Sequence, residues 1–187
     1  MDFFGQNNAL LDQILSITEF GIYPDIDIRP ATAVDVDLIW QLHQQLSTDS
    51  IYKRYHSPRI PSRAEMAEMC GFYEGDAGSE HSRNGRSLIA TAPGKANIVG
   101  LAYYIIQPTH PDTAEVALLV ADAFQGRGIG RRLMKHLVAE AITQNIRFFD
   151  AYVQPSNRPM IHLLNSSGRL IENRLTYGAR EMRVQLL

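Results

Sequence analysis

The sequence predicts an α/β domain in which a mixed β-sheet is flanked by helices, and three observations carry that expectation. Segments with strand-like alternation and segments with helix-like periodicity follow one another along most of the chain. A β-branched, apolar run over 113–120 breaks into a glycine-rich turn that opens directly into an amphipathic helix. With 187 residues, 45% of them hydrophobic, the chain can bury one substantial core and is short for two.

The elements follow in order. Residues 2–21 carry Leu10, Leu11, Ile14, Leu15 and Ile17, a spacing that suits a short amphipathic helix. Residues 1–24 are therefore expected to be an appendage, either capping the fold or pairing with another subunit of a homo-oligomer, ahead of a domain spanning 25–187. Residues 25–29 alternate as a strand that Pro30 stops, and Thr32 is expected to cap a helix through Gln45 with Val36, Leu38, Ile39 and Leu42 on its inward face. Further helices are expected over 49–55 and from Ser62, where Ser62 and Glu65 make a capping-box pattern. Residues 71–85 are polar, glycine-bearing and poor in aliphatics, which predicts a mobile loop. Strands are expected over 86–91 and 97–106, joined at Pro93-Gly94, with 107–112 as the turn into a strand over 113–120. The helix from Gly128 to about Gln144 places Leu133, Leu137 and Ala141 at i, i+4 spacing. A strand over 147–153, a helix over 157–166 and two closing strands over 170–175 and 181–186 complete the order. No repeat or low-complexity tract interrupts it.

Composition narrows the function classes. A formal net charge of −2 argues against a nucleic-acid partner, for which a basic surface is the usual footprint. No apolar run approaches the roughly 20 residues of a membrane span, and the N-terminus lacks the basic start and cleavage site of a secretory signal. The single cysteine, Cys70, excludes an internal disulfide and reads as a small buried apolar residue, so a reducing, cytoplasmic setting is expected. The six histidines show no metal-ligand spacing, and no metal is expected.

The most informative stretch is Gln125-Gly126-Arg127-Gly128-Ile129-Gly130-Arg131, lying between a strand and a long helix. The first N–H groups of a helix have no partner within it, and the aligned peptide dipoles add about half a positive charge there, so a phosphate is a natural ligand. Glycine lets the backbone approach that phosphate closely, although each glycine in a helix's first turn costs roughly 1 kcal/mol against alanine. A Walker loop requires G-x-x-x-x-G-K-[ST], and no Lys-Ser or Lys-Thr follows these glycines. The dinucleotide fingerprint G-x-G-x-x-G fails as well, because Arg131 stands where its third glycine belongs.

What remains is a Q/R-x-x-G-x-G/A signature, and on it the chain resembles the GNAT superfamily of N-acyltransferases, in which this turn cradles the pyrophosphate of acetyl-CoA. The element order from residue 25 to the C-terminus matches the GNAT fold, a mixed central sheet that splays open around the cosubstrate. The resemblance implies that Gln125, Gly126, Arg127, Gly128, Ile129, Gly130 and Arg131 hold the pyrophosphate. It also implies that the backbone of Leu118, Leu119 and Val120 pairs with the peptide-like pantetheine arm, an N–H near Val120 polarising the thioester carbonyl. Asn157, which starts the helix after the next strand, is expected to contact the pantetheine or to cap its own helix. Many GNAT members place a tyrosine seven residues after that asparagine as general acid; Leu164 stands there instead, and Tyr177 is a distant substitute by sequence.

Transfer to an amine requires a base, because an amine of pKa near 10.4 is mostly protonated at neutral pH. Glu115 shares a strand face with Ala117 and Leu119, which aims its carboxylate at the gap, and many GNAT enzymes carry a glutamate at this place. His110 is the second choice, through its near-neutral pKa. For the acceptor, the stretch Leu46-Ser47-Thr48-Asp49-Ser50-Ile51-Tyr52-Lys53-Arg54-Tyr55 resembles an L-S-x-x-S-x-Y-x-R-F/Y segment of bacterial protein-lysine acetyltransferases, as does Asn157-Arg158-Pro159-Met160. That resemblance implies that Tyr52 and Tyr55 frame a lysine side chain while Ser47 and Ser50 supply polar contacts, the alternative being a tyrosine-rich packed turn with Arg54 snorkelling to the surface. Glu74, Asp76 and Glu80 could attract a cationic acceptor. The expected activity is acetyl transfer from acetyl-CoA to protein lysine; a small-molecule amine acetyltransferase or a CoA-binding sensor are the alternatives.

Overall fold

The computed structural model describes residues 26–69, 85–94 and 97–187. The expected N-terminal helix, Cys70, His81 and the loop acids Glu74, Asp76 and Glu80 lie outside the described residues. Seven strands form one mixed sheet in the order β1-β2-β3-β4-β5-β7-β6: β1 (Asp27–Pro30), β2 (Gly85–Thr91), β3 (Ile98–Gln107), β4 (His110–Val120), β5 (Phe148–Val153), β6 (Gly168–Thr176) and β7 (Ala179–Leu186). The helices are α1 (Val36–Gln44), α2 (Thr48–Tyr55), α3 (Arg63–Met69), α4 (Ile129–Thr143) and α5 (Arg158–Ser166). Every neighbouring pair of strands is antiparallel except β4 and β5.

Both faces of the central strands are covered, so β3 reads as an almost continuous apolar run rather than an alternating one. One face packs Ala102, Tyr104, Val116, Phe149 and Val184 against Leu133, Leu137 and Ala141 of α4 and Leu164 of α5. The other packs Leu101, Tyr103, Ala117 and Leu119 against Ile39 and Leu42 of α1 and Met66 of α3. Leu133, Leu137 and Ala141 are all fully buried, which is what their i, i+4 spacing requires of one helix face.

Several boundaries move for physical reasons. Pro30 ends β1 as its own last residue, within the ladder and in register with Leu88; a sheet edge tolerates a residue with no N–H to donate. Thr32 is the N-cap of a short turn rather than of α1 itself, and it forms a capping box with Asp35. Asp35 accepts from the Thr32 N–H at 2.8 Å and from its hydroxyl at 2.9 Å, and residues Ala33–Asp35 form a 3-10 turn before α1 begins. Arg29 completes this arrangement with two bonds to the same carboxylate, and Asp35 falls to a pKa of about 2, chiefly through the Arg29 hydrogen bonds. On α1, Ile39 and Leu42 are buried whereas Val36 and Leu38 are only partly so, and His43 joins the buried face. The turn expected over 107–112 is shorter, because His110 already pairs with Gln107 and β4 begins there. The Ser62 capping box forms: the Ser62 N–H donates to Glu65 at 2.8 Å, and the Glu65 N–H donates back to Ser62 Oγ at 3.3 Å.

Candidate active site

The cleft arises where two parallel strands part. β4 and β5 are paired only at Thr113↔Phe148, Ala114↔Phe149 and Glu115↔Asp150. Beyond that point β4 continues to Val120 in register with β3, while its other edge faces an open gap. Val116, Ala117, Leu118, Leu119 and Val120 line this gap on one side and Ala151, Tyr152 and Val153 on the other. The peptide groups of β4 along that edge have no ladder partner in β5, so an extended, amide-bearing ligand can pair with them as an added strand would.

Of the glycine turn, Gln125 and Gly130 line the gap, whereas Gly126, Arg127, Gly128, Ile129 and Arg131 do not. Gly126 and Gly128 stand at φ 72° and 82°, left-handed conformations in which side-chain-bearing residues are strained. Gly128 is the N-cap of α4, and the Arg132 N–H reaches back to the Gly128 carbonyl at 3.1 Å as the first helical bond. The N–H groups of Ile129 and Gly130 therefore point out of the helix start without an intrahelical acceptor, next to the cleft wall that Gly130 helps to form. A Cβ placed on Gly130 would lie 3.4 Å from Leu163 Cδ1 and 3.5 Å from Leu118 Cδ2. Asn157 lines the cleft too, and its Oδ1 accepts from the Met160 N–H at 3.2 Å, so it caps α5 from within the cleft wall.

Glu115 is exposed, lines the cleft, and occupies the last paired position before the strands part. Its register partner Asp150 is committed elsewhere, receiving two bonds of 2.7 Å from Arg183 and one of 3.0 Å from Gln107. Glu115 is thus the cleft's available carboxylate among the described residues. His110 sits at the β3–β4 hairpin, faces Thr109 Oγ1 at 3.0 Å and does not line the cleft. Leu164, at the place of the family's tyrosine, is fully buried, and Tyr177 lies on the exposed β6–β7 turn. The phenol that does line the cleft is Tyr152, two residues beyond Asp150 on β5. Burial, with Glu181 and Glu115 nearby, raises its pKa and keeps it protonated.

The acceptor segment forms α2, but it meets the cleft through residues other than the tyrosines. Ser50, Lys53 and Arg54 line the cleft; Ser47, Tyr52 and Tyr55 do not. Ser47 caps α2, accepting from the Ser50 N–H at 3.2 Å. Tyr52 is 48% exposed. Tyr55 turns inward: His43 Nδ1 donates to the Ile39 carbonyl at 2.7 Å, leaving Nε2 to accept from the Tyr55 hydroxyl at 2.5 Å. Burial, first among its causes, lowers the His43 pKa and keeps it in this neutral form. Arg54 does not snorkel to the surface. It donates to the Tyr103 hydroxyl, lies over the rings of Tyr55 at 4.7 Å and Tyr103 at 5.2 Å, and buries its Nε without a partner.

A second set of contacts was not legible in the sequence. Asp122, in the 3-10 turn between β4 and the glycine turn, accepts from the Ser47 N–H at 2.5 Å, from the Ser50 hydroxyl and from Gln125 Nε2 at 2.8 Å. Gln125 also donates to the Val120 carbonyl at 3.0 Å and to Ser50 Oγ at 3.2 Å. These bonds tie the start of α2 to the end of β4 and the head of the glycine turn. Contacts between residues 75 positions apart leave no local spacing to read, which is why the sequence singles out Ser47, Ser50 and Gln125 but neither Asp122 nor their union. No group of histidine, cysteine or acidic side chains able to hold a metal ion occurs among the described residues, and no helix among them is long and apolar enough to cross a membrane.

This geometry has close counterparts. The model of the acetyltransferase (GNAT) family matches residues 46–168. Acetyltransferase Pat of Mycolicibacterium smegmatis is 27% identical over 141 residues, which are 75% of this chain; the chain spans 40% of that relative's length. The crystal structure of the GNAT domain of S. lividans PAT superposes with a TM-score of 0.68 at 27% identity, covering 85% of this chain and 89% of that one. A putative acetyltransferase from Salmonella typhimurium, yncA, solved with its cofactor acetyl-CoA, shares the fold at 20% identity and a TM-score of 0.67, covering 87% of this chain and 95% of that one. The chain belongs to the acetyltransferase (GNAT) family.

Proposed function

We propose that this protein moves the acetyl group of acetyl-CoA onto the side-chain amine of a protein lysine in the cytoplasm, by direct attack within a ternary complex. The observation that carries this reading is the parting of β4 and β5 immediately beyond Glu115, with a helix N-terminus led by Gly128 at the far end of the gap. Acetyl-CoA supplies the activated acetyl group. The free edge of β4 at Leu118, Leu119 and Val120 would hold its amide-bearing arm, and the turn from Gln125 to Arg131, with Asn157 on the opposite wall, would hold its phosphates and orient the thioester. Glu115 then takes one proton from the acceptor's ammonium group. The neutral nitrogen bonds to the acetyl carbon, the carbon–sulfur bond breaks, and the proton lost from nitrogen as it becomes an amide goes to the departing sulfur. In this reading Tyr152, a phenol of the cleft wall, passes that proton.

Protein lysine is favoured over a small amine by the Ser47–Tyr55 and Asn157–Met160 resemblances and by the relationship to Pat. Ser50, Lys53 and Arg54, rather than Tyr52 and Tyr55, are the α2 residues that meet the incoming side chain in this reading. Incubation with radiolabelled acetyl-CoA, with and without a cell extract, tests it. Label is expected in protein, on lysine; label confined to small amines would favour the small-molecule alternative, and CoA binding without transfer would favour a sensor.

A further inference from the structure

The acceptor end of the cleft poses an electrostatic problem for its own base. A lone carboxylate beside a lysine ammonium stabilises the ammonium, and so holds in place the proton that must leave. The charged and titratable groups that line the cleft are Glu115 on β4, Lys53 and Arg54 on α2, and Tyr152 on β5; behind them His43 of α1, which interacts with Arg54, is kept neutral by burial, and the N-cap Asn157 is uncharged. Lys53 is already paired with Asp49 at 2.6 Å. Arg54 is different: its contacts are with the phenols of Tyr103 and Tyr55, and its Nε is buried without a partner. Burial opposes its charge, but Tyr103, Tyr55 and Glu115 outweigh that cost, so the guanidinium is held charged in a fixed orientation.

We propose that Arg54 is a positioning residue for the acceptor's proton, its fixed charge offsetting that of Glu115 so that the bound amine is held in its neutral, nucleophilic form. The inference rests on the reading of Glu115 as base given above. With Arg54 present, Glu115 and Arg54 cancel and an ammonium gains little by staying charged. Without it the site carries a net negative charge, and the ammonium is trapped. One ammonium proton passes to Glu115 and from there to solvent; Arg54 neither gives nor takes a proton, being protonated throughout the accessible pH range.

The experiment is the pH dependence of kcat, which reports groups in the bound complex, for a lysine peptide and for a less basic amine acceptor. In Arg54→Gln the acid limb is expected to move up by about one pH unit, whereas Arg54→Lys, which keeps the charge, leaves it near the wild-type position. Lys53→Glu, at a half-buried helix position, should move the limb the same way and decides the matter if Arg54→Gln does not fold. In every variant the limb should fall with the acceptor's own basicity. Limbs that stay in place in the folded variants, or that ignore the acceptor's basicity, would overturn the role of Arg54 while leaving acetyl transfer intact. Absence of transfer to any amine by a protein that still binds acetyl-CoA would instead overturn the reading beneath it.

Discussion

The two halves of the cleft are built from different materials. The half assigned to acetyl-CoA is main chain: the free edge of β4, two glycines at positive φ and the first turn of α4. The half assigned to the acceptor is side chain: Glu115, Arg54, Lys53, Ser50 and Tyr152, contributed by three separate elements. A main-chain site tolerates most substitutions of its neighbours but not the loss of a glycine, since the ligand is held by peptide groups that every residue possesses. A side-chain site depends on rotamers, and these are fixed by partners one layer away, such as Tyr103 and Asp122. The contrast teaches that damage to the first half should appear in binding and damage to the second in turnover.

The sharpest way to break the comparison is the double variant Gly128→Glu with Gly130→Asp. Both changes put bulk and negative charge at the anion site, and the first also strains a backbone at φ 82°. Calorimetry is expected to show acetyl-CoA affinity reduced by about 10³-fold or more in a folded protein. Undiminished affinity would remove the main-chain account of that half.

Next in size is Glu115→Gln, which preserves shape but cannot accept a proton. Turnover should fall by about 10²–10⁴-fold with acetyl-CoA affinity within a factor of about three. A near-native rate at neutral pH would return Glu115 to the role of a strand residue.

Asp122 tests the join between the halves. Asp122→Asn keeps the size but turns one of the two acceptor oxygens into a donor, so the side chain can no longer accept at once from the Ser47 N–H and from the Ser50 hydroxyl and Gln125. An increase of about tenfold in acceptor KM is expected, larger than the change in acetyl-CoA affinity, because α2 moves while the glycine turn keeps its own backbone. The same carboxylate gives a pH signature. Burial pushes its pKa up, but hydrogen bonds from Ser50, Ser47 and Gln125 outweigh this and leave it below the ordinary value. A lowered folded-state pKa means that its contribution to stability is complete above the ordinary carboxylate range, near 4, and is lost as pH falls through the lowered value. The difference in thermal midpoint between wild type and Asp122→Asn should therefore be constant above about pH 5 and shrink below it. A difference that grows on acidification would contradict the sign.

Tyr52→Ala is expected to have the smallest effect. Its ring is 48% exposed and outside the cleft, so transfer to a lysine peptide should change by less than about twofold. A large selective loss would restore Tyr52 to the acceptor channel.

Much of the cofactor half was legible without coordinates, because its information is local. Gly126, Gly128 and Gly130 sit within five residues, and the strand before and the helix after them are read from period two and period 3.6. The same locality made Glu115 legible, since alternation along β4 decides which face it shares with Ala117 and Leu119. Ser62 with Glu65 and Leu133 with Leu137 followed the same rule, and the structure places them as their spacing requires.

What the tertiary structure decided was everything that depends on which elements become neighbours. Sequence spacing could assign Tyr52 and Tyr55 to the acceptor segment, but not which face of a two-turn helix meets β4; the fold turns Tyr55 toward His43 and brings Arg54 to the cleft instead. The bonds of Asp122 to Ser47 and Ser50 join residues more than 70 positions apart. The parting of β4 from β5 is likewise a property of a pair of strands, visible only in where their register ends. By itself the sequence determined a glycine turn between strand and helix and a carboxylate on the strand leading to it, since backbone conformation and side-chain alternation are set by near neighbours. The charge and shape around the acceptor came from packing, because a buried guanidinium acquires its orientation only from the phenols that close around it.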